Sequence, residues 1–579
     1  MYKRPQKLRL AIVFFSYLFI LLVIFFRLLY IQVINYSDYI KLADSQHNLT
    51  LKLFPQRGFI FDRNLKTFAL SLKVFSVYAV PREIENKEEV ALKLSSILEL
   101  DYNVLLEKLK RDKSFIWVKR RIEDDLALRV KQEKIKGVSL LTENKRYYPN
   151  AGLAAHVVGF AGIDENGLSG VELIYDKYLR GQAGKRSLVR DAKQRIMPAF
   201  EYEYIPEING HNIVLTLDAV IQHIAEQELD AGFEKSKAVG ASVIIMNPEN
   251  GEIYALVNRP GYDLNCFGQA MDDAKRNRAV SDYFEPGSTF KIITASAVLE
   301  ENVVALDDVF FCENGEYTVS RHILHDHTPH GNLSFVEVIE KSSNIGTVKI
   351  AQKLGPALLY KYIKKFGFGQ KTDIDLPGEV EGFFRPLEQW SKLSIAALPI
   401  GHEIGVTVIQ MARAMAVIAN GGYLVNPHLV SKIIDSKNEI IKDIQPEPAA
   451  RIISAKTAIK MRDILQGVVE NGTGKSAKVK GYSTAGKTGT AQKVVAGEGY
   501  SHNKFIASFI GFAPAENPKV VIAVVFDEPK PFYYGGTVCA PIFKNIAEKV
   551  LKYMDVPMQN NIADQKPSTN QKNTTSITD

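Results

Sequence analysis

The sequence is most informative at EPGSTFKIITASAVLEEN, Glu285 to Asn302. Pro286 and Gly287 specify a turn, and an apolar helical run follows through Leu299. Ser288 therefore falls at a helix amino terminus, where free N–H groups and the helix dipole stabilise negative charge on an attacked serine or its adduct. Lys291 lies one turn on, along the same face. Enclosure beside the serine disfavours the ammonium form of a lysine, and the neutral amine can act as general base. A capping serine followed by a solvated lysine has the same local pattern. A second S-x-x-K, Ser501 to Lys504, sits in a polar loop without a helix signal.

Two further elements follow in chain order. KSSNIGTVKIAQKLG places Ser342 and Asn344 in an S-x-N arrangement. Its hydroxyl could relay a proton to a leaving amine, and its carboxamide offers donors and an acceptor to a peptide bond. S-x-N also recurs at Ser436 to Asn438 and Ser501 to Asn503. STAGKTGTAQK, carrying Lys487, Thr488, Gly489 and Thr490, reads as a strand that begins in small residues. Gly489 would let a substrate backbone lie close. Lys487 and the two hydroxyls would make a carboxylate site. An edge strand with solvated Lys and Thr is the alternative.

The amino terminus sets the compartment. Leu10 to Phe26, LAIVFFSYLFILLVIFF, carries no charge. At ~1.5 Å per residue it reaches about 26 Å, slightly short of a ~30 Å hydrocarbon core. Arg27 can snorkel and let the helix extend through LLYIQVI to Ile34. Lys3, Arg4, Lys7 and Arg9 precede it, so the tail is expected in the cytoplasm and the bulk across the membrane. A cleaved signal peptide would be shorter and would end in small residues, whereas bulky residues follow here. The outer side offers no ATP or NADH, so no cofactor is expected.

The remainder of the 579 residues exceeds one ordinary core and suggests two to four domains. A net charge of +7, spread along the whole chain, is too dilute for nucleic-acid binding. Cys266, Cys312 and Cys539 form no CxxC pair, which excludes a cysteine-built zinc site and a disulfide-dense scaffold. They read as buried or half-buried free thiols, with a Cys266–Cys312 bridge left open. Pro198 to His211 has the composition of an interdomain linker. Beyond it, Ile213 to Leu217 reads as a strand and Asp218 as the cap of a helix through Leu229. Ser242–Met246 with Glu252–Val257, and Phe505–Phe512 with Val520–Phe526, read as hairpins at either end of a mostly helical stretch. That order implies an α+β fold, an antiparallel sheet covered by helices. The polar carboxy terminus from about Asp555 reads as a disordered tail.

The ordered set S-x-x-K, S-x-N and K-T-G resembles that of the class B penicillin-binding proteins. RGFIFDRN, with Arg57, Gly58, Asp62 and Arg63, resembles the start of their pedestal. Ala154 to Gly184 resembles the pedestal's joining segment, and RNRAVSDYFEPGSTFK is closer to the division type than to the elongation type. The resemblance implies a cytoplasmic tail at 1–9, a transmembrane anchor at 10–34, an α+β dimerisation or pedestal domain at 35–205, a transpeptidase domain at 206–555 and a tail at 556–579. It implies a peptidoglycan D,D-transpeptidase of the inner membrane acting in septal wall synthesis. Ser288 would be the acylated nucleophile, Lys291 its base and Ser342 the proton relay. Asn344 and Lys487 would orient the donor, and Thr488 and Thr490 would bind its terminal carboxylate. The N–H groups of Ser288 and Thr490 would form the oxyanion hole. The implied ligands are stem peptides ending in D-Ala-D-Ala and the β-lactams that imitate them. The implied partners are an FtsW-like SEDS glycosyltransferase and other divisome membrane proteins. Similar proteins often carry Gly where Glu403 stands and Pro where Val408 stands.

Several look-alikes are set aside. His322, His325, Asp326, His327 and His330 crowd one stretch, but their spacing fits no standard metal-ligand pattern, and they read as loop residues. GTGKS at Gly472 lacks the first glycine of a phosphate loop, since Val469 stands there. His402–Glu403 lacks the second histidine of H-E-x-x-H, since Val406 stands there. A β-lactamase, a D,D-carboxypeptidase and a non-catalytic penicillin sensor are the rival functions.

Overall fold

The computed structural model describes residues 4–558 apart from 114, 191–195, 321, 447–448, 496 and 498. Most of the expected disordered tail lies outside the described residues. The chain forms two compact units, residues 1–56 with 180–210, and 57–179 with 211–579.

The first unit begins with the helix Arg4–Leu29, continued by a π-type turn, Tyr30–Ile34. The stretch Gln6–Ile34 is 29 residues long and apolar enough to cross a membrane. The helix runs through Arg27, whose guanidinium lies 5.4 Å from the Tyr30 ring. A helix, Tyr36–His47, leads into a three-stranded antiparallel sheet ordered Asn48–Leu53, Gly184–Arg190, Ile196–Ile205. The segment expected to be a linker from Pro198 is therefore strand as far as Ile205. Phe200, Tyr202 and Tyr204 alternate there with Glu201 and Glu203, a period of two that outweighs the flanking prolines.

In the second unit, Thr67–Ala79 pairs with Ile116–Ile122 and with Val138–Tyr147. Helices Lys87–Leu98, Tyr102–Lys110 and Asp124–Gln132 cover this sheet around Val77, Leu94, Leu98, Leu105 and Val118. The segments RGFIFDRN and Ala154–Gly184 meet in a buried ion cluster. Arg57 Nε donates to Glu172 Oε2 at 2.6 Å, and Arg146 Nε to Glu172 Oε1 at 2.6 Å. Arg57 Nη1 also reaches Asp176 at 2.7 Å. The short strand Ile60–Phe61 runs parallel to Asn212–Leu215, which pairs in turn with Val430–Ile434. One sheet thus ties residues before the 180–210 excursion to residues after it.

The rest of the second unit is organised around a five-stranded sheet. After helix α1 (Ala219–Ser236), capped by Asp218, come β1 (Gly240–Met246) and β2 (Ile253–Arg259). The helices α2 (Lys291–Glu300), α3 (Asn344–Leu354) and α4 (Val408–Ala419) follow. Then β3 (Ala485–Val495), β4 (Gly499–Ala513) and β5 (Val520–Asp527) precede α5 (Gly535–Tyr553). The sheet order is β2-β1-β5-β4-β3, antiparallel throughout, so both expected hairpins join one sheet and β3 lies at its edge. α1 and α5 cover one face through Ile221, Leu229, Phe509, Phe526 and Phe543. The other face carries the core that holds α2 and α4. α4 is buried along its whole length and is apolar except for Gln410 and Arg413, which hydrogen-bond to backbone carbonyls. The fold is the expected α+β sheet covered by helices.

Candidate active site

Ser288 occupies a 3-10 turn, Gly287–Phe290, that runs directly into α2. Gly287 has a φ of +55°, and a side chain there would come within 3.1 Å of the Thr490 carbonyl. Only glycine lets the turn lie so close to β3. The Gly287 N–H is held by the Gly401 carbonyl at 3.2 Å. Ser288 is half-buried and sits in the first turn, where N–H groups lack intrahelical acceptors.

Lys291 is fully buried. Its Nζ donates to the Ser342 carbonyl at 2.6 Å, to Asn344 Oδ1 at 2.8 Å and to Ser342 Oγ at 3.3 Å. Burial lowers its pKa to about 7, against the opposing pull of Asp326 and Cys312. No hydrogen bond joins Lys291 to Ser288 among the described residues. Three acceptors draw the amine toward the S-x-N element instead.

That element owes its shape to two caps. The helix Phe335–Glu340 starts with a capping box between Ser334 and Glu337, and α3 starts with Ser343 accepting from the Gly346 N–H. Between them Ser342 takes a left-handed φ of +61°, which turns its hydroxyl and carbonyl to Lys291. Asn344 is the first residue of α3, and its Nδ2 donates to the His325 carbonyl at 3.0 Å. Both ends of its carboxamide are therefore fixed.

Lys487 is also fully buried and reaches Ser342 Oγ at 2.8 Å from β3. Burial, then the nearby Lys291, hold its pKa well below the usual lysine value. The pleat separates it from the neighbouring hydroxyls, which were expected to share a site with it. Thr488 Oγ1 pairs with Thr473 Oγ1 at 2.7 Å, and Thr490 Oγ1 accepts from the Gly535 N–H at 3.1 Å, at the start of α5. A side chain at Gly489 would lie 2.9 Å from the Pro286 carbonyl and 2.3 Å from Ser508 Oγ. The space a side chain would need at Gly489 is taken by Ser508 and by the turn that carries Ser288.

Several residues of the site were not singled out from sequence. Asp326, read as a loop residue, caps α3: its carboxylate accepts from the Asn344 and Ile345 N–H groups and from Ser343 Oγ. Thr473 belongs to the phosphate-loop look-alike. Glu285 accepts from Tyr500 at 3.1 Å and from the Glu403 N–H at 2.9 Å, and pairs with His402 Nδ1 at 2.9 Å. A cavity of about 920 Å³ beside it is lined by Tyr283, Glu403, Gln492 and Tyr500, and excludes Ser288 and Lys291. Glu403 has a φ of +58°, a backbone conformation that favours glycine. Val408 is the first residue of α4, the position where proline is favoured. Cys266 is exposed, whereas Cys312 and Cys539 are buried, and all three are free. The histidine-rich stretch forms part of a hairpin, Glu316–Val319 with His322–His325.

A half-buried serine at a helix start, with two buried lysines that meet on one hydroxyl, is an arrangement able to support acyl transfer to a serine. Residues 241–548 match the penicillin binding protein transpeptidase domain, and 52–215 the penicillin-binding protein dimerisation domain. Stage V sporulation protein D of Bacillus subtilis is 37% identical over 98% of this chain and 89% of its own. Peptidoglycan D,D-transpeptidase FtsI of Buchnera aphidicola is 33% identical over 94% of this chain and 95% of its own. Penicillin binding protein 3 of Mycobacterium tuberculosis, solved with ampicillin, superposes with a TM-score of 0.69 at 29% identity, covering 90% of this chain and 98% of that one. The chain belongs to the class B penicillin-binding proteins.

Proposed function

We propose that this protein cross-links peptidoglycan stem peptides through an acyl-enzyme on Ser288, in septal wall synthesis. The observation that carries the reading is the meeting of Lys291 and Lys487 on Ser342 Oγ, with Lys291 following directly on the Ser288 turn at the start of α2. Ser288 Oγ attacks the carbonyl carbon of the donor's penultimate D-Ala while its proton passes to neutral Lys291. The N–H groups of Ser288 and Thr490 receive the oxyanion at the helix start. Collapse breaks the C–N bond to the terminal D-Ala, and the proton returns through Ser342 Oγ to the leaving amine. The amine of a second stem peptide then attacks the acyl carbon, loses its proton by the reverse route and frees Ser288. Asn344 and Lys487 orient the donor, and Thr488 and Thr490 take its terminal carboxylate. A β-lactam enters by the same first step.

In this reading residues 35–205 form the pedestal and 206–555 the catalytic domain. The basic flank keeps the tail in the cytoplasm and puts the catalytic lobe on the outer side of the inner membrane. An FtsW-like glycosyltransferase is the partner for the membrane helix. The septal setting rests on the likeness of RNRAVSDYFEPGSTFK to division-type enzymes. Depletion in the native cell tests that setting: filamentation supports it, and rounding assigns the enzyme to elongation instead. The chemistry is tested by supplying a synthetic D-Ala-D-Ala donor with and without an acceptor amine. Acceptor-dependent dimer is expected. Release of D-Ala to water alone, whatever the acceptor concentration, would make the enzyme a carboxypeptidase.

A further inference from the structure

We propose that Asp326 is a positioning residue for acylation: its carboxylate fixes the S-x-N element over Lys291, and its charge sets the pH at which Lys291 can take the proton of Ser288. This inference rests on the acyl-enzyme reading above.

Asp326 follows the strand His322–His325, and its own N–H is held by the Gly315 carbonyl at 3.1 Å. One carboxylate oxygen accepts from the first two N–H groups of α3, those of Asn344 and Ile345. The other accepts from Ser343 Oγ at 2.6 Å, which in turn caps the Gly346 N–H at 2.9 Å. A carboxylate at this end of a helix meets both unpaired donors and the positive end of the dipole. The preceding His325 carbonyl holds Asn344 Nδ2 at 3.0 Å. Two consecutive residues thus anchor α3 and orient the carboxamide whose oxygen receives Lys291 Nζ.

Among the described residues the partners of the Asp326 carboxylate are these helix donors and Ser343, with no Lys or Arg ion pair. The titratable groups facing Lys291 are Lys487 from β3, Cys312 before the Glu313–Gly315 turn, and Asp326. Asp326 is the carboxylate of this set, and it opposes the loss of the Lys291 proton that burial promotes. Hydrogen bonding to the start of α3 and charge toward Lys291 therefore act through one side chain.

The two effects separate by substitution in the full-length protein. Asp326→Asn keeps an acceptor for the helix N–H groups and removes the charge. Asp326→Glu keeps the charge and displaces the acceptor. The readout is the rate of acylation by a fluorescent penicillin against pH, with melting temperature measured alongside. For Asp326→Asn the inflection is expected to move down by roughly one pH unit, the size of a lost opposite charge nearby. For Asp326→Glu it is expected to stay near the wild-type pH while the plateau rate falls about tenfold. A residue that merely stabilised the fold would lower the melting temperature and leave both inflection and plateau in place, and that result overturns the proposal. An unmoved inflection in Asp326→Asn overturns the charge role. Absence of acylation in the wild type would instead refute the acyl-enzyme reading itself.

Discussion

Lys487 Nζ and Lys291 Nζ share one hydroxyl, lying 2.8 Å and 3.3 Å from Ser342 Oγ. Both amines are buried, and each makes a proton on the other more costly. The positive charge on Lys291 helps to lower the pKa of Lys487, and Lys291 becomes the neutral base at about pH 7.

The rate of penicillin acylation is accordingly expected to rise with pH through about 7, as Lys291 loses its proton. The stability consequence has the same origin. A lysine whose folded pKa is lowered binds fewer protons folded than unfolded, so stability rises with pH between about 7 and the unfolded value of 10.5. Below that window the full cost of burying an ammonium is present. Lys291→Met should therefore abolish acylation yet raise the melting temperature more at pH 6 than at pH 9. Calorimetry at the two pH values checks this.

Ser342 combines a needed hydroxyl with an unfavourable backbone. Ser342→Ala and Ser342→Gly should each slow acylation by ~10²-fold, the usual size of a lost proton-transfer group. They should differ in stability, because the φ of +61° suits glycine and strains alanine. Ser342→Gly is expected to be more stable than Ser342→Ala by ~1 kcal/mol. Equal denaturation midpoints would show that the left-handed conformation is not kept in solution.

Gly489→Ala places a methyl against the Pro286 carbonyl, which is backbone and cannot rotate away. The displacement falls on the turn that carries Ser288. Acylation should drop by ~10²-fold or more, since misplacement by about 1 Å has that effect. A variant that folds and acylates at the wild-type rate would mean that β3 moves instead of the turn.

Glu172 lies far along the chain from the nucleophile but holds two buried arginines, Arg57 and Arg146. Removing it strands the Arg146 charge and leaves Arg57 with Asp176 alone. Glu172→Ala should cost ~3–5 kcal/mol of stability in its own unit. The fraction that folds should still acylate normally, which denaturation monitored alongside penicillin labelling would reveal.

The legible parts of this protein are those where local pattern equals structure. The Pro286–Gly287 turn, the apolar run of α2, the two hairpins and the KTG strand each carry their own signal. The amino-terminal helix long and apolar enough to cross a membrane is equally plain, because nothing but length and hydropathy is needed. What escaped was set by distant partners. Asp326 looks like a loop residue until α3 is placed beside it, since a cap supplied from another segment leaves no spacing rule behind. Thr473 and Glu285 meet their partners across chain separations of 15 and 215 residues. Glu403 and Val408 mislead for a different reason: a left-handed φ and a first helical position suit Gly and Pro, and this sequence fills them with other residues.

The most direct test is mass spectrometry of the full-length protein after exposure to a penicillin, comparing wild type with Ser288→Ala. A stable adduct on the peptide containing Ser288, absent from the variant, is the expected result. An adduct elsewhere, or the same labelling in Ser288→Ala, would contradict the account.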